Sequence, residues 1–482
     1  MDMSPNAIGF ALLLLGVLML IAKIIRVKWR LAQKLFIPSS IIGGALALMI
    51  GPDVFGRIAG LFGTDRFAES GLLTPEIIEV WKTLPGLLIS LVFAGLLMGH
   101  KLPSPRKAFR VAGPQIAFGM TVASGQYVFG LLLAILVLGP VFGLPAMAGT
   151  LIEIGFEGGH GTAAGMAGTF EEFGFPEGQD LALGLATVGV LSGIICGIAL
   201  INWGVRTGKT TELRVDAEPS VAERAGLVEK ERRRSAGTLT VNPSSIEPLT
   251  LHFGLLAVAV LIGWLMLTGV QWVESKLWAD SFELFAHVPL FPIAMIGGII
   301  VQGLIQAFDR EEIVDVQMIE RLQGFSLDVL VIAALGTLSL TAIAANMGPF
   351  ILLAVTGLVW TGGAFIFLAR RMLPDFWFER GIADVGQAMG VTSTGLILLR
   401  VVDPDLKTPA YQAFGYKQLI MEPFFGGGLV TAGAIPIIAN FGVGWLFAGM
   451  LALFVGALAA GLLYFGKRPT GAAAEEPVTV AP

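Results

Sequence analysis

The sequence predicts an all-α membrane protein of about eleven spans, arranged as two inverted-topology five-span repeats. Each repeat carries a re-entrant hairpin, and one extra span follows at the C-terminus. Three observations predict this. The chain of 482 residues is 55% hydrophobic and only 14% charged, where a soluble domain carries about 25% charge. Long uncharged stretches recur, each near the roughly 20 residues needed to cross a bilayer. Sequence features of the first half return in order in the second.

The spans fall at about 7–22, 36–51, 84–99, 111–138, 180–203, 249–272, 287–306, 325–347, 349–369, 410–440 and 443–466. The first is a retained span, because its Lys and Arg residues follow the apolar run instead of preceding it. Segments 145–170 and 378–400 are too rich in glycine and polar residues for ordinary spans. Orientation follows from the basic residues of the short loops. Lys23, Arg26, Lys28, Arg30 and Lys34 cluster after the first span, and Lys101, Arg106, Lys107 and Arg110 after the third. Residues 139–179 hold no Lys or Arg at all, and Arg370, Arg371, Lys467 and Arg468 fall in later loops of the basic parity. The N-terminus is therefore outside and the C-terminus cytoplasmic.

Residues 204–248, with "EKERRRSAGTLTVNPSS", read as a cytoplasmic linker between the halves. The interleaved acids beside a membrane argue against nucleic acid as a partner. The stretch "FDREEIVDVQMIERL", 308–322, is amphipathic at helical spacing and predicts a solvated interfacial helix. The domain plan is a first repeat over 1–203, the linker 204–248, a second repeat over 249–440, the extra span at 441–466 and a cytoplasmic tail at 467–482.

The repeat rests on three matches. Pro38 precedes Gly43-Gly44 as Pro292 precedes Gly297-Gly298. "LISLVFAG" ending at Gly95 resembles "VLVIAALG" ending at Gly336. "HGTAAG" at 160–165 aligns with "MGVTST" at 389–394. The offsets fall steadily, as shorter loops in the second half would require. Five spans is an odd number, so the second half starts from the opposite side. The hairpins 145–170 and 378–400 then occupy matching places, entering from outside and from inside. Broken helices at corresponding positions point to a midplane binding site.

Glycines let backbone groups approach a ligand. Free amides at a half-helix N-terminus attract anions, and free carbonyls attract cations. On this reasoning Gly158, Gly159, His160, Gly161, Thr162, Gly390, Thr392, Ser393 and Thr394 are candidate substrate-binding residues. Helix packing by the glycines, a structural histidine and helix caps by the hydroxyls are the competing readings. Arg400, closing "GLILLR", is a bidentate partner for a carboxylate or a snorkelling arginine. Glu157, Thr187 and Glu422 are candidate Na+ ligands, Glu422 because it stands beside Pro423 and Gly426-Gly427-Gly428. Glu157 could instead lie at the wet outer mouth of its hairpin. Gly189, Gly193 and Gly197 form a close-packing stripe on the fifth span.

"GGHGTAAG" at 158–165, "IPSSIIGG" at 37–44 and "GVTST" at 390–394 are similar to the glutamate:sodium symporter family, over roughly residues 7–440. The resemblance implies two inverted five-span repeats with re-entrant loops, Na+-coupled uptake of glutamate and a homodimer. Members near the type pattern have a small polar residue at the position of Glu157 and usually Thr-Pro-Thr at 392–394. An acid at 157 adds negative charge near an anionic substrate unless it is protonated or paired with a cation.

The expectation is a secondary active transporter in the bacterial inner membrane. It couples Na+ to glutamate or a similar small carboxylate by elevator-like alternating access, without an organic cofactor. The alternatives are a proton-coupled transporter of another organic anion and a channel. No HExxH or Gly-x-Ser-x-Gly spacing supports an enzyme, and a P-loop pattern is missing too. The lone Cys196 excludes an internal disulfide and a cysteine metal cluster.

Overall fold

The computed structural model describes residues 5–34, 37–64, 66–99, 105–211, 227–228, 233, 235–277, 285, 288–309, 312–403 and 407–467. Among them the regular structure is helical throughout. The principal helices are α1 (Pro5–Lys28), α2 (Ser39–Ile50), α3 (Pro75–Gly95), α4 (Pro105–Leu133), α5 (Leu151–Phe156), α6 (Gly159–Gly165) and α7 (Glu177–Arg206). They continue with α8 (Pro248–Leu277), α9 (Leu290–Phe308), α10 (Val316–Gly336), α11 (Met347–Ala364), α12 (Trp377–Val402), α13 (Ala410–Met421), α14 (Leu429–Phe441) and α15 (Val443–Ala459).

Nine helices among the described residues are long and apolar enough to cross a membrane, where the sequence led us to expect about eleven spans. Two expected spans account for the difference. The stretch 325–347 is realised as α10, which carries Glu320, Arg321 and Asp328 and stops at Gly336. The stretch 410–440 is cut into α13 and α14 by residues 422–428, where Gly426 and Gly427 take left-handed backbone angles. Of the interfacial helix expected at 308–322, residues 316–322 are helical as the first turns of α10, while 312–315 are not. The Asp309 side chain accepts hydrogen bonds from the Ile313 and Val314 amides (3.0 and 3.1 Å), which takes those amides out of a helical pattern. Asp315 then caps Gln317 N (2.9 Å), so helix begins only at Val316.

The described residues form two compact units, each drawn from both halves of the sequence. Unit 1 comprises Met1–Lys101, His160–Gly184 and Pro219–Met347, and unit 2 comprises Leu102–Gly159, Leu185–Glu218 and Gly348–Pro482.

In unit 1, α2 packs on α1 and α10, and α9 packs on α8 and α3, while α3 and α10 pack on each other. The close approaches fall at the glycine pairs. A β-carbon on Gly43 would come within 2.8 Å of Ile332, and one on Gly298 within 2.9 Å of the Ala94 backbone. Both α3 and α10 run 21 residues and end on a glycine, Gly95 and Gly336. Ala94, Met98, Leu256, Ala259, Ala294, Val301 and Ile319 form a core there. The end of the 204–248 segment docks in the same unit, through Thr240 Oγ1 donating to Ile313 O (2.6 Å) and a bond from Thr238 N to Asp315. Residues 212–226, 229–232 and 234 of that segment, and 468–482 of the tail, lie outside the described residues.

In unit 2, α4 packs on α13 and α15, and α12 on α13, α4 and α5. Its core holds Ala123, Tyr127, Leu131, Met421, Phe425, Ala434, Ile438, Leu446 and Met450. Helix α12 is no straight rod. At Gly390 (φ −151°, ψ 39°) and Val391 (φ 63°, ψ 172°) it leaves helical geometry. A β-carbon on Gly386 would lie 2.7 Å from Gly395 Cα, and one on Gly395 would lie 2.5 Å from Ala383 O. In a continuous helix, residues 386 and 395 stand about 13 Å apart along the axis. The chain therefore turns back at 390–391 and forms a helical hairpin.

Candidate functional site

Three interruptions of helix define a polar centre in unit 2. The first lies between α5 and α6, at Glu157-Gly158. The second is the hairpin tip, Gly390-Val391. The third is the segment 422–428. An interruption frees backbone groups that a helix would satisfy internally, so each is costly in apolar surroundings unless other protein groups or a ligand satisfy it. The first two touch. Gly159, at φ +69°, packs against the Val391 side chain with no room for a β-carbon. The α7 stripe backs the hairpin: Gly193 faces Met389 and Thr394, and Gly197 faces Leu398.

Around these breaks lies a chain of buried polar side chains. Gln387 Nε2 donates to Glu157 Oε1 (3.0 Å), and Lys417 Nζ donates to Gln387 Oε1. Lys417 Nζ also stands 3.2 Å from Asp384 Oδ1, with both side chains essentially inaccessible. Gln115 Nε2 donates to Asp384 Oδ2 (3.1 Å). Asp384 and Gln387 lie three residues apart on one face of the hairpin's first arm. Glu157 Oε2 is buried with no hydrogen-bond partner among the described residues.

A second group links the hairpin's other arm to the third break. Thr392 Oγ1 donates to Glu422 Oε1 (2.8 Å), while Gln418 Nε2 reaches Thr392 Oγ1 (2.6 Å) and Glu422 Oε1 (2.9 Å). Gln418 Oε1 is buried and has no hydrogen-bond partner there. A carboxylate, a hydroxyl and an amide oxygen make a hard-oxygen set of the kind Na+ prefers. A third group is closed on itself. Glu153 accepts from Tyr127 OH (2.7 Å), Gly426 N (2.7 Å) and Thr431 Oγ1 (2.8 Å), so it pins the glycine segment to α5.

The structure brings together Glu157, Gly158, Gly159, Gly390, Thr392 and Glu422 in unit 2. Glu157 is buried, only 4% exposed. His160, Gly161 and Thr162 belong to unit 1, where a β-carbon on Gly161 would meet Ile89 at 2.7 Å. Thr394 Oγ1 bonds back to Gly390 O, closing the first turn after the tip. The Ser393 side chain lies outside the described residues. Thr187 is half-buried on α7. Arg400 is exposed in the last turn of the hairpin's second arm, about 12 Å along the helix from Thr392, which fits the snorkelling reading.

Sequence reasoning missed Glu153, Asp384, Gln387, Lys417 and Gln418. One signal was available: Lys417 stands alone as a basic residue within 410–440, where an unpaired charge is expensive. Its partner Asp384 is remote in sequence.

No curated protein matches the chain at a significant level. The family model for sodium/glutamate symporters matches residues 87–399, more than half of the 482. The match takes in the first break and the hairpin tip, while Lys417 and Glu422 lie beyond it. That family consists of sodium-coupled transporters of glutamate and not of enzymes. With a family match over residues 87–399 and nine apolar helices of spanning length among the described residues, the chain belongs to the sodium/glutamate symporter family.

Proposed function

We propose that this chain carries glutamate or a similar small carboxylate, coupled to Na+, across the bacterial inner membrane by elevator-like alternating access. The observation that carries the reading is the meeting of the first break and the hairpin tip at Gly159 and Val391, beside two buried oxygens, Glu157 Oε2 and Gln418 Oε1, that lack a partner among the described residues. Backbone groups at the breaks beside Gly159 and Gly390 suit the carboxylates of the substrate. Glu157 and the Thr392–Gln418–Glu422 set suit Na+, with Thr187 a further oxygen on α7. Gly161, Thr162 and His160 remain candidate substrate residues by their place beside the first break.

The architecture we propose is two inverted five-span repeats, 1–203 and 249–440, with hairpins at 145–170 and 378–400. The reciprocal packing of α1, α2 and α3 with α8, α9 and α10 supports it, as do the matched lengths of α3 and α10. So does the discontinuity of helix in both hairpin segments. Unit 2 holds the tip and all three polar groups, which suits a body that carries its cargo as a whole. We further propose that 204–248 is a cytoplasmic linker, that 441–466 is an extra span, that the N-terminus is outside, and that the protein works as a homodimer.

Counterflow in proteoliposomes tests the function. Labelled glutamate should enter vesicles preloaded with unlabelled glutamate only when Na+ is present. Entry driven by a proton gradient with no Na+ requirement would favour a proton-coupled carrier. Flux that fails to saturate would favour a channel.

A further inference from the structure

We infer that Lys417 is a tethered internal cation that permanently occupies a cation position at Asp384 and so sets how many Na+ ions the polar centre takes. This deepens the sodium-coupled reading above and rests on it.

The charges of the first polar group can be counted. Glu157, Asp384 and Lys417 are 4%, 1% and 0% exposed. Lys417 Nζ stands 3.2 Å from Asp384 Oδ1 and donates to the Gln387 amide oxygen, whose nitrogen serves Glu157 Oε1 at 3.0 Å. With both acids ionised, two carboxylates and one ammonium leave a net charge of −1. The imbalance has an address: Asp384 Oδ1 faces the ammonium, whereas Glu157 Oε2 has neither a cation nor a hydrogen-bond partner among the described residues. The other nearby cation is already engaged: Arg380, one turn before Asp384, pairs with Asp375 (3.1 Å) and donates to Val111 O (3.1 Å). Glu153, held by three neutral donors, and Glu422, bonded to Thr392 and Gln418, belong to the other two groups and are common to every variant compared.

The fold makes room for the lysine. A β-carbon on Gly119 of α4 would collide with the Lys417 stem and lie 3.2 Å from Nζ. The ammonium is thereby held at Asp384 on a covalent leash, in a place where a mobile ion would have to be drawn from water and released in each cycle. Within this group Asp384 is neutralised in every state, and only the charge left on Glu157 needs a cargo ion.

The count predicts opposite effects from the two partners. Lys417→Gln leaves two unneutralised acids and should add one Na+. Asp384→Asn frees the ammonium to serve Glu157 through Gln387 and should remove one. Asp384→Asn with Lys417→Met removes both charges and should leave the number unchanged. The slope of melting temperature against log Na+ reports ions bound by the folded state. It is measured on the purified full-length protein in detergent, with choline replacing Na+ at constant ionic strength. The expected order of slopes is Lys417→Gln steepest, wild type and the double variant equal, and Asp384→Asn shallowest. Loss of folding in a single variant, with the double variant folded, also supports the pair, since breaking a buried pair costs more than removing it. Equal slopes in wild type and both single variants overturn the inference and leave sodium coupling standing. Failure of the double variant to fold likewise overturns it. A flat wild-type slope overturns sodium coupling itself, and this inference with it.

Discussion

Gly159 packs directly on the side chain of Val391, so the interruption after α5 and the tip of the α12 hairpin form one contact inside unit 2. Each residue has a positive φ, +69° at Gly159 and +63° at Val391. For valine this is a costly conformation, of order 1–3 kcal/mol, and it persists only where the surroundings enforce it. Strain and contact coincide where the backbone has left its helices.

Any side chain at 159 must therefore displace Val391. Gly159→Leu should abolish counterflow while the protein still elutes as a single species in detergent. Gly159→Ala should reduce it about tenfold or more, and Val391→Ala in the same chain should restore part of the loss. Full counterflow by Gly159→Leu would show that the contact has no part in transport.

The Thr392–Gln418–Glu422 set makes a separate prediction about Na+. Glu422→Gln removes the only formal charge of that set, so the Na+ concentration for half-maximal uptake should rise about tenfold or more. Thr392→Val, which removes a hydroxyl and keeps the shape, should act in the same direction with a smaller effect. Uptake titrated with Na+ at fixed glutamate measures both. Unchanged Na+ dependence in Glu422→Gln would remove this set from the ion path.

Gly119 offers a test of the lysine's seat that leaves every charge in place. A methyl group there meets the Lys417 stem, so Gly119→Ala should push the ammonium off Asp384. We expect a melting temperature lower by several degrees, in keeping with a cost of about 1–3 kcal/mol for overpacking, together with a steeper Na+ dependence, in the direction of Lys417→Gln. Gly168→Ala, at a glycine with open space around it, is the control and should match wild type.

Orientation can be read by labelling from either side in a Cys196→Ser background. Glu69→Cys and Ser235→Cys place thiols at exposed positions. The first should react with an impermeant maleimide added outside, and the second only after the membrane is opened. Labelling of both from one side would contradict the orientation and the inverted repeat together.

Much of this protein was legible before any coordinates. Sparse charge over long apolar runs marks membrane helices by composition alone, since a bilayer span is a local property of about 20 residues. "FEGGHGT" and "MGVTST" announced their breaks because glycine and clustered polar residues disrupt helix wherever they stand. Glu157, Thr392 and Glu422 were visible as polar residues beside such breaks. What only the tertiary structure decided is partnership. That Asp384 sits 3.2 Å from Lys417, that Gln387 relays between Lys417 and Glu157, and that Glu153 clasps Gly426 are facts about helices far apart in sequence. Single-sequence periodicity carries no term for such distances. The same limit let 410–440 pass as one span, because its mean apolarity hides the left-handed turns at Gly426 and Gly427. It also hid the division of the hairpin residues, with Gly159 in one compact unit and His160 in the other. Local chemistry says where a helix will fail, and only packing says what the failure is built to hold.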